Sequence, residues 1–221
     1  MSGNSSPGMI SVFCALRPKR RWVEVGELEV RGRGWTKDTA SFGRLPSRFA
    51  ERLPGQAWAA ARSSAGLFVD FTTDSPDLTL TWVSHSIESR VALGPLAFDL
   101  YLRTDEQWRH ALSLPPSNDA VGYQSAQVFT GLAANDRTFR LYFPLGCRVS
   151  KVRLGIDAAS TLEALPSPKA GDTHPIVLFG GPDAAGAGAS RAGSCLPALL
   201  GRRLGREVID LGLPAEDLLT L

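Results

Sequence analysis

The sequence contains little cysteine and no long apolar segment. Its three cysteines, Cys14, Cys147 and Cys195, lie far apart and form no C-x-x-C pair, which excludes a disulfide framework and a cysteine-based zinc site. No apolar run approaches the roughly 20 residues that a membrane-spanning helix needs. The N-terminus also lacks a basic segment followed by an apolar one. These absences predict a cytoplasmic protein with no membrane association, no metal and no cofactor.

An excess of one charge sign is missing as well. The chain has 24 Lys and Arg against 22 Asp and Glu, a net charge of +2, which excludes a polycation that binds nucleic acid and an acidic disordered tail. Glycine and proline are abundant instead, with 22 and 15 residues, and they indicate many turns, as in a β-rich protein. A length of 221 residues suits one full domain and part of a second.

Apolar and polar residues alternate with a period of two through most of residues 66–156. The apolar positions of the five clearest segments are Leu67/Val69/Phe71, Leu78/Leu80/Trp82, Phe98/Leu100/Leu102, Phe139/Leu141/Phe143 and Val152/Leu154/Ile156. This pattern is typical of half-buried strands, and turn residues separate the segments. The sequence therefore predicts a mainly β fold, an antiparallel β-sandwich of jelly-roll type over residues 21–165, after a flexible N-terminus of residues 1–20.

The pattern changes in the last quarter of the chain. After a predicted linker over residues 166–174, the continuous apolar run 175–179 ends in Gly180 and is followed by a loop of Gly and Ala. An amphipathic helix with a stripe of four leucines and a second buried-strand pattern over 207–212 come next. This β-loop-α-β order predicts the opening of a parallel α/β domain over residues 175–221. Two strands cannot complete such a domain, so the segment is expected to be truncated.

Several ordered motifs resemble one family, the SGNH (GDSL-type) hydrolases. The run Ala97-Phe-Asp-Leu-Tyr101 keeps Asp-Leu-Tyr of the Gly-x-Asp-Leu-Tyr motif that names an N-terminal β-sandwich of these enzymes, with Ala97 in place of the glycine. Residues 174–212 are similar to the start of the SGNH catalytic domain, an α/β fold of flavodoxin-like type. The resemblance implies an ester hydrolase that acts on a carbohydrate or an acylated carbohydrate.

The family's catalytic residues are not preserved. Its nucleophilic serine follows the first parallel strand, and this sequence has Pro182 there, which offers neither a hydroxyl nor an N–H. The glycine of the oxyanion-binding block corresponds to Ala215, and the family's later Asn and Asp-x-x-His blocks do not occur. The chain is therefore predicted to be an inactive hydrolase. Ser190 and Ser194 are the nearby hydroxyls; Ser194 is expected to cap the following helix and Ser190 to be a solvated loop residue.

Four residues of the sandwich are the candidates for binding a ligand. Asp99, Tyr101 and Arg103 share one strand face and could bind a sugar or align against the catalytic segment, whereas Trp108 lies in a polar stretch and is predicted to be exposed. An equally plain interpretation is a polar outer face whose Asp99 bonds a neighbouring strand or loop. The alternative function is thus a non-enzymatic carbohydrate-binding or protein-docking module. The three histidines, His85, His110 and His174, are predicted to face solvent.

Overall fold

A computed structural model describes residues 19–35, 42–86, 94–117, 120–166 and 174–213 of the protein. In these residues the strands are β1 (Arg20–Glu24), β2 (Val30–Arg31), β3 (Phe68–Thr73), β4 (Leu78–His85), β5 (Phe98–Thr104), β6 (Gln107–Leu114), β7 (Gly122–Phe129), β8 (Arg137–Tyr142), β9 (Arg148–Asp157), β10 (Leu162–Ala164), β11 (Ile176–Gly180) and β12 (Val208–Gly212). The α-helices are α1 (Gly55–Ala61) and α2 (Leu196–Leu204). No helix in these ranges is long and apolar enough to cross a membrane.

Two antiparallel sheets form a sandwich. One has the strand order β1-β9-β4-β7, and the other has the order β10-β3-β8-β5-β6 with β2 paired to β3. Their facing apolar side chains make one core, in which Trp82 of the first sheet packs edge-on against Phe98 of the second. The prediction of a mainly β fold built as an antiparallel sandwich is confirmed, because the period-two residues do alternate between core and outer face.

The C-terminal segment is a parallel β-α-β unit. β11 pairs with β12, so that Ile176 is level with Val208 and Gly180 with Gly212. α2 connects the two strands and ends at Gly205, which adopts the left-handed conformation with φ +61° and so closes the helix as glycine does readily. The predicted order of elements is therefore found, although the predicted linker lies mostly outside the described residues.

The segment rests on the outer face of the six-stranded sheet. A second, smaller core joins Phe68, Tyr101 and Tyr142 of that face to Ala192, Cys195 and Ala198 of the segment. α2 uses small residues for this contact, whereas its leucine stripe points away, with Leu204 54% exposed. The face of β11 is open too, with Phe179 66% exposed. The segment is thus anchored through small residues around α2 and, beyond the end of β12, through Leu213, which packs in a third cluster with Ala60 and Ala61 of α1.

Candidate functional site

The end of β11 leads directly into the turn that carries Pro182. The Ala184 N–H donates to the Gly181 carbonyl at 3.0 Å, and the Ala187 N–H donates to the Pro182 carbonyl at 2.9 Å. Pro182 therefore occupies the position after the first parallel strand, where a nucleophile would gain exposure and backbone donors. Its pyrrolidine ring supplies neither of these groups. Ala215, the predicted oxyanion-type residue, lies outside the described residues.

The two serines of the following loop bond to each other and to the local backbone. Their hydroxyls lie 3.1 Å apart, and Ser194 Oγ also accepts from the Arg191 N–H and donates to the Arg191 carbonyl. The predicted helix cap is wrong: Ser194 closes the short 3-10 turn Ala192–Ser194, and α2 has Cys195 at its N-cap with no side-chain cap bond. Ser190 is an exposed loop residue, as predicted.

The two described thiols are poor nucleophiles. Burial raises the pKa of Cys195 to about 12, and burial also raises the pKa of Cys147. Only a thiolate attacks an ester efficiently, so neither sulfur is activated at neutral pH. Cys14 lies outside the described residues.

The histidines are tied to residues of the sandwich or exposed. His85 Nε2 lies 2.8 Å from Ser150 Oγ, and burial, together with the charges of Arg148 and Arg62, lowers the pKa of His85. His85 is half-buried, so its predicted exposure is only partial, whereas His110 and His174 are exposed as predicted.

A serine, a histidine and an aspartate do meet on β5 and β6. Ser113 Oγ donates to Asp99 Oδ1 at 2.6 Å, and His110 Nε2 lies 3.2 Å from the same hydroxyl. In a hydrolase triad the imidazole stands between the two, taking the serine proton while the carboxylate orients the ring. Here the hydroxyl itself bonds the carboxylate, and His110 Nε2 is 4.0 Å from Asp99 Oδ1. The arrangement is structural rather than triad-like.

Asp99 and Tyr101 join the sandwich to the C-terminal segment. Asp99 is fully buried, and its Oδ2 accepts the Gly193 N–H at 2.7 Å. Tyr101 packs so closely on Gly193 that a Cβ there would overlap its ring, and its hydroxyl lies 3.4 Å from Arg191 Nε. Both side chains are closed to solvent, so their predicted substrate-binding role finds no support in this geometry. Of the possibilities left open by the sequence, their contacts fit alignment of the segment and, for Asp99, bonds to the neighbouring strand and to a loop through Ser113 and Gly193.

We expect Asp99→Ala to weaken this junction. The substitution leaves the buried Gly193 N–H without its acceptor, and an unsatisfied buried donor costs about 1–3 kcal/mol of unfolding free energy. Urea unfolding would measure that loss, and limited proteolysis should cut the 181–194 loop faster. Ser113→Ala is the matched control because it removes only the other hydrogen bond of Asp99. Equal effects of the two variants would contradict the junction role.

Arg103 and Trp108 border a cleft of about 440 Å³ between the six-stranded sheet and α2. Trp108 is half-buried rather than exposed, and the Arg140 guanidinium lies 4.4 Å from its ring centre. Arg103 forms an ion pair with Glu106 on the rim. Their role in binding stays a prediction.

A buried ionic group that the sequence analysis missed forms the floor of the cleft. Arg140 makes a two-pronged contact with Asp70, at 2.6 and 2.7 Å, and Arg31 Nη1 reaches the same carboxylate at 3.2 Å. Burial lowers the pKa of Arg140, but the bonds to Asp70 outweigh it and the net pKa is raised. The sequence showed only that an acidic residue and a basic residue lie on the polar faces of two predicted strands. That these two residues form a pair depends on the register of β3 against β8, which places Asp70 opposite Arg140.

Two family descriptions match the chain, one for each structural part. The family "N-terminus of Esterase_SGNH_hydro-type", named GxDLY, matches residues 20–162, and the "GDSL-like Lipase/Acylhydrolase family" matches residues 173–220. Among curated protein sequences, none matches the chain.

Solved structures share the arrangement of both parts. A GDSL-like lipase, so described, from Bacteroides ovatus ATCC 8483 is 25% identical with a TM-score of 0.77, over 89% of this chain and 57% of that one. The salicylyl-acyltransferase SsfX3 from a tetracycline biosynthetic pathway is 21% identical with a TM-score of 0.68, over 90% of this chain and 55% of that one. The chain thus spans little more than half the length of these proteins. It belongs to the SGNH (GDSL-type) hydrolase family, as a GxDLY β-sandwich followed by a GDSL-type α/β segment.

Proposed function

We propose that this chain is a non-hydrolytic member of the SGNH family. The observation that carries the proposal is Pro182, which comes two residues after the end of β11, at the position where the family places its serine. Without a hydroxyl at that point an acyl-enzyme cannot form by the family's route, because no oxygen is available to attack the ester carbonyl. The missing N–H of proline also removes one donor for the oxyanion.

The surrounding groups support the same conclusion. The hydroxyls of Ser190 and Ser194 bond to each other, the Cys195 thiol is buried, and the chain's three histidines include none that is bonded to either serine. A replacement nucleophile would need a base within hydrogen-bond reach. In the described residues no such pair faces the turn at Pro182. The family's substrate class, acylated carbohydrates, then defines what the protein would bind rather than cleave.

We expect purified protein to turn over p-nitrophenyl acetate no faster than its heat-denatured form. Pro182→Ser should raise the rate only a few-fold, since a serine without a base keeps an unperturbed hydroxyl. Continuous absorbance at pH 7–8 would measure both proteins. Saturable turnover by the unmodified chain, abolished by Ser190→Ala or Ser194→Ala, would reject the proposal.

Carbohydrate binding by the sandwich is the second candidate. The observation that favours it is the position of Arg103 and Trp108 on the rim of a cleft that could hold a small sugar. Calorimetric titration with a neutral disaccharide such as cellobiose should show binding that Trp108→Ala weakens at least tenfold. An unchanged affinity in Trp108→Ala, or no heat at all, would remove this candidate.

A further inference from the structure

The cleft beside α2 has the charge of an anion site. Five guanidinium groups line it, and only two carboxylates do so; Glu207 adds a third at its edge. The arginines are Arg31, Arg103, Arg140, Arg202 and Arg206. Two of them, Arg31 and Arg140, share the carboxylate of Asp70, and Arg31 also pairs with Glu207. The five arginines still outnumber the three carboxylates, so the cleft as a whole carries a net positive charge. Low-dielectric walls strengthen the attraction of such a cleft for a negative group.

Arg202 presents a guanidinium that is held in place and has no carboxylate partner among the described residues. Its Nη1 donates to the Tyr142 hydroxyl at 3.0 Å, and its Cζ lies 4.5 Å from the centre of the Tyr101 ring. These contacts fix the planar fork before any ligand arrives, which lowers the entropy cost of binding.

Arg31 supplies the second indication of an anion site. Its residue is 9% exposed, and its Nε has no hydrogen-bond partner in the described structure. The nearest carboxylate oxygen recorded for this atom, Glu207 Oε2, is 3.8 Å away. A buried donor without an acceptor is costly, and an oxyanion placed in the cleft would relieve that cost.

The cleft is separate from the family's catalytic position. Pro182 and the residues around it do not line the cleft, which is bordered on the β-α-β unit by α2 and by Val208, the first residue of β12. Pro182 comes two residues after the end of β11, and that end lies beside Gly212, the last residue of β12. Four residue steps of ~3.3 Å separate Val208 from Gly212, about 13 Å along the strand.

We infer that this cleft binds the oxyanion group of a small ligand, a carboxylate or a phosphate, with Arg202 and Arg31 as its donors. Arginine suits both groups because its fork donates two parallel hydrogen bonds. The site does not depend on hydrolysis at Pro182, so its failure would leave the proposed function untouched.

Calorimetric titration of the full chain at low ionic strength tests this inference. The probes are glucose 6-phosphate, glucuronate, inorganic phosphate and, as the uncharged control, glucose. We expect at least one charged sugar to bind at least tenfold more tightly than glucose. Whichever of glucose 6-phosphate and glucuronate binds more tightly shows whether the site prefers a phosphate or a carboxylate. The affinity for the charged sugars should fall several-fold between 50 and 200 mM salt, because dissolved ions screen the attraction between opposite charges increasingly over this range.

Two neighbouring arginines of α2 provide a matched pair of variants. Arg202→Gln should weaken binding at least tenfold, whereas Arg203→Gln, exposed and outside the cleft, should change it less than twofold. If Arg202→Gln does not fold, Arg206→Gln on the same rim should weaken binding several-fold. The inference is overturned if no anion binds, if glucose binds as tightly as the charged sugars, or if Arg203→Gln weakens binding as much as the cleft variants.

Discussion

Replacing Arg44 with methionine is expected to lower the free energy of unfolding by about 3–5 kcal/mol, since it removes one partner of a buried ion pair. Arg44 is 2% exposed, and its guanidinium donates to the Gly212 carbonyl at 2.7 Å and the Ala60 carbonyl at 2.8 Å. Its Nη1 also lies 3.4 Å from Asp210 Oδ1. One side chain therefore links α1, the end of β12 and a buried carboxylate.

The same variant should lose less stability in acid than in base. Burial raises the pKa of Asp210 above its ordinary value of 3.8, and the charge of Arg44 opposes that rise. Without Arg44 the folded-state pKa climbs further. The folded form then binds a proton at Asp210 more tightly than the unfolded chain does. The cost of burying the charged carboxylate is therefore absent below about pH 3.8 and reaches its full value above the raised folded-state pKa.

Urea unfolding at pH 5 and pH 8 would measure both effects. The deficit of Arg44→Met relative to the unmodified protein should be larger at pH 8. Arg52→Met is the control, because Arg52 is exposed and its substitution should change stability by less than about 0.5 kcal/mol at either pH. A deficit that is equal at the two pH values would show that Asp210 does not take up the proton.

Asp70→Asn is expected to destabilise the protein by a similar amount, about 3–5 kcal/mol. The substitution keeps the shape but leaves Arg140 with no carboxylate partner among the described residues, and Arg31 with only Glu207, whose Oε2 lies 3.8 Å from Arg31 Nε. Both arginines are nearly buried, and the cost of burying a charge is not recovered by a neutral amide. Since the free energy of unfolding of a small domain is about 5–15 kcal/mol, the substitution would remove a large part of it.

Thermal or urea unfolding would detect this loss, and Asp136→Asn on an exposed loop gives the comparison for charge removal alone. An oxyanion in the cleft should restore part of the stability of Asp70→Asn, because it replaces the missing charge by mass action. A variant as stable as the unmodified protein would contradict the view that Asp70 compensates the two arginines.

The sandwich could be predicted from the sequence because its strands obey a local rule. Leu80 and Trp82 alternate with Thr79 and Thr81, and that alternation alone assigns one face to the core. The β-α-β order of the tail followed from equally local signals, such as the apolar run of β11 and the glycine that ends α2. These features do not depend on what packs against them.

The residues on the outer face needed tertiary information. Asp99 and Tyr101 look like a polar solvent face by period, but the C-terminal segment covers them. The leucine stripe of α2 suggested its packing side, yet Pro197 and Ala198 form the contact. Small residues let a helix backbone approach a sheet closely. The hydrophobicity and spacing of the residues in α2 do not reveal which sheet the helix will pack against. The Asp70–Arg140 pair depended on register for the same reason.

The proposal that this chain forms no acyl-enzyme can be tested by intact-protein mass spectrometry after incubation with a fluorophosphonate. Such a probe adds covalently to an activated serine, and a related active serine hydrolase treated in parallel shows that the reagent works. We expect the unmodified chain to keep its mass while the active enzyme gains one adduct. A stoichiometric adduct on this chain, mapped by peptide sequencing to Ser190, Ser194 or Ser113, would contradict it.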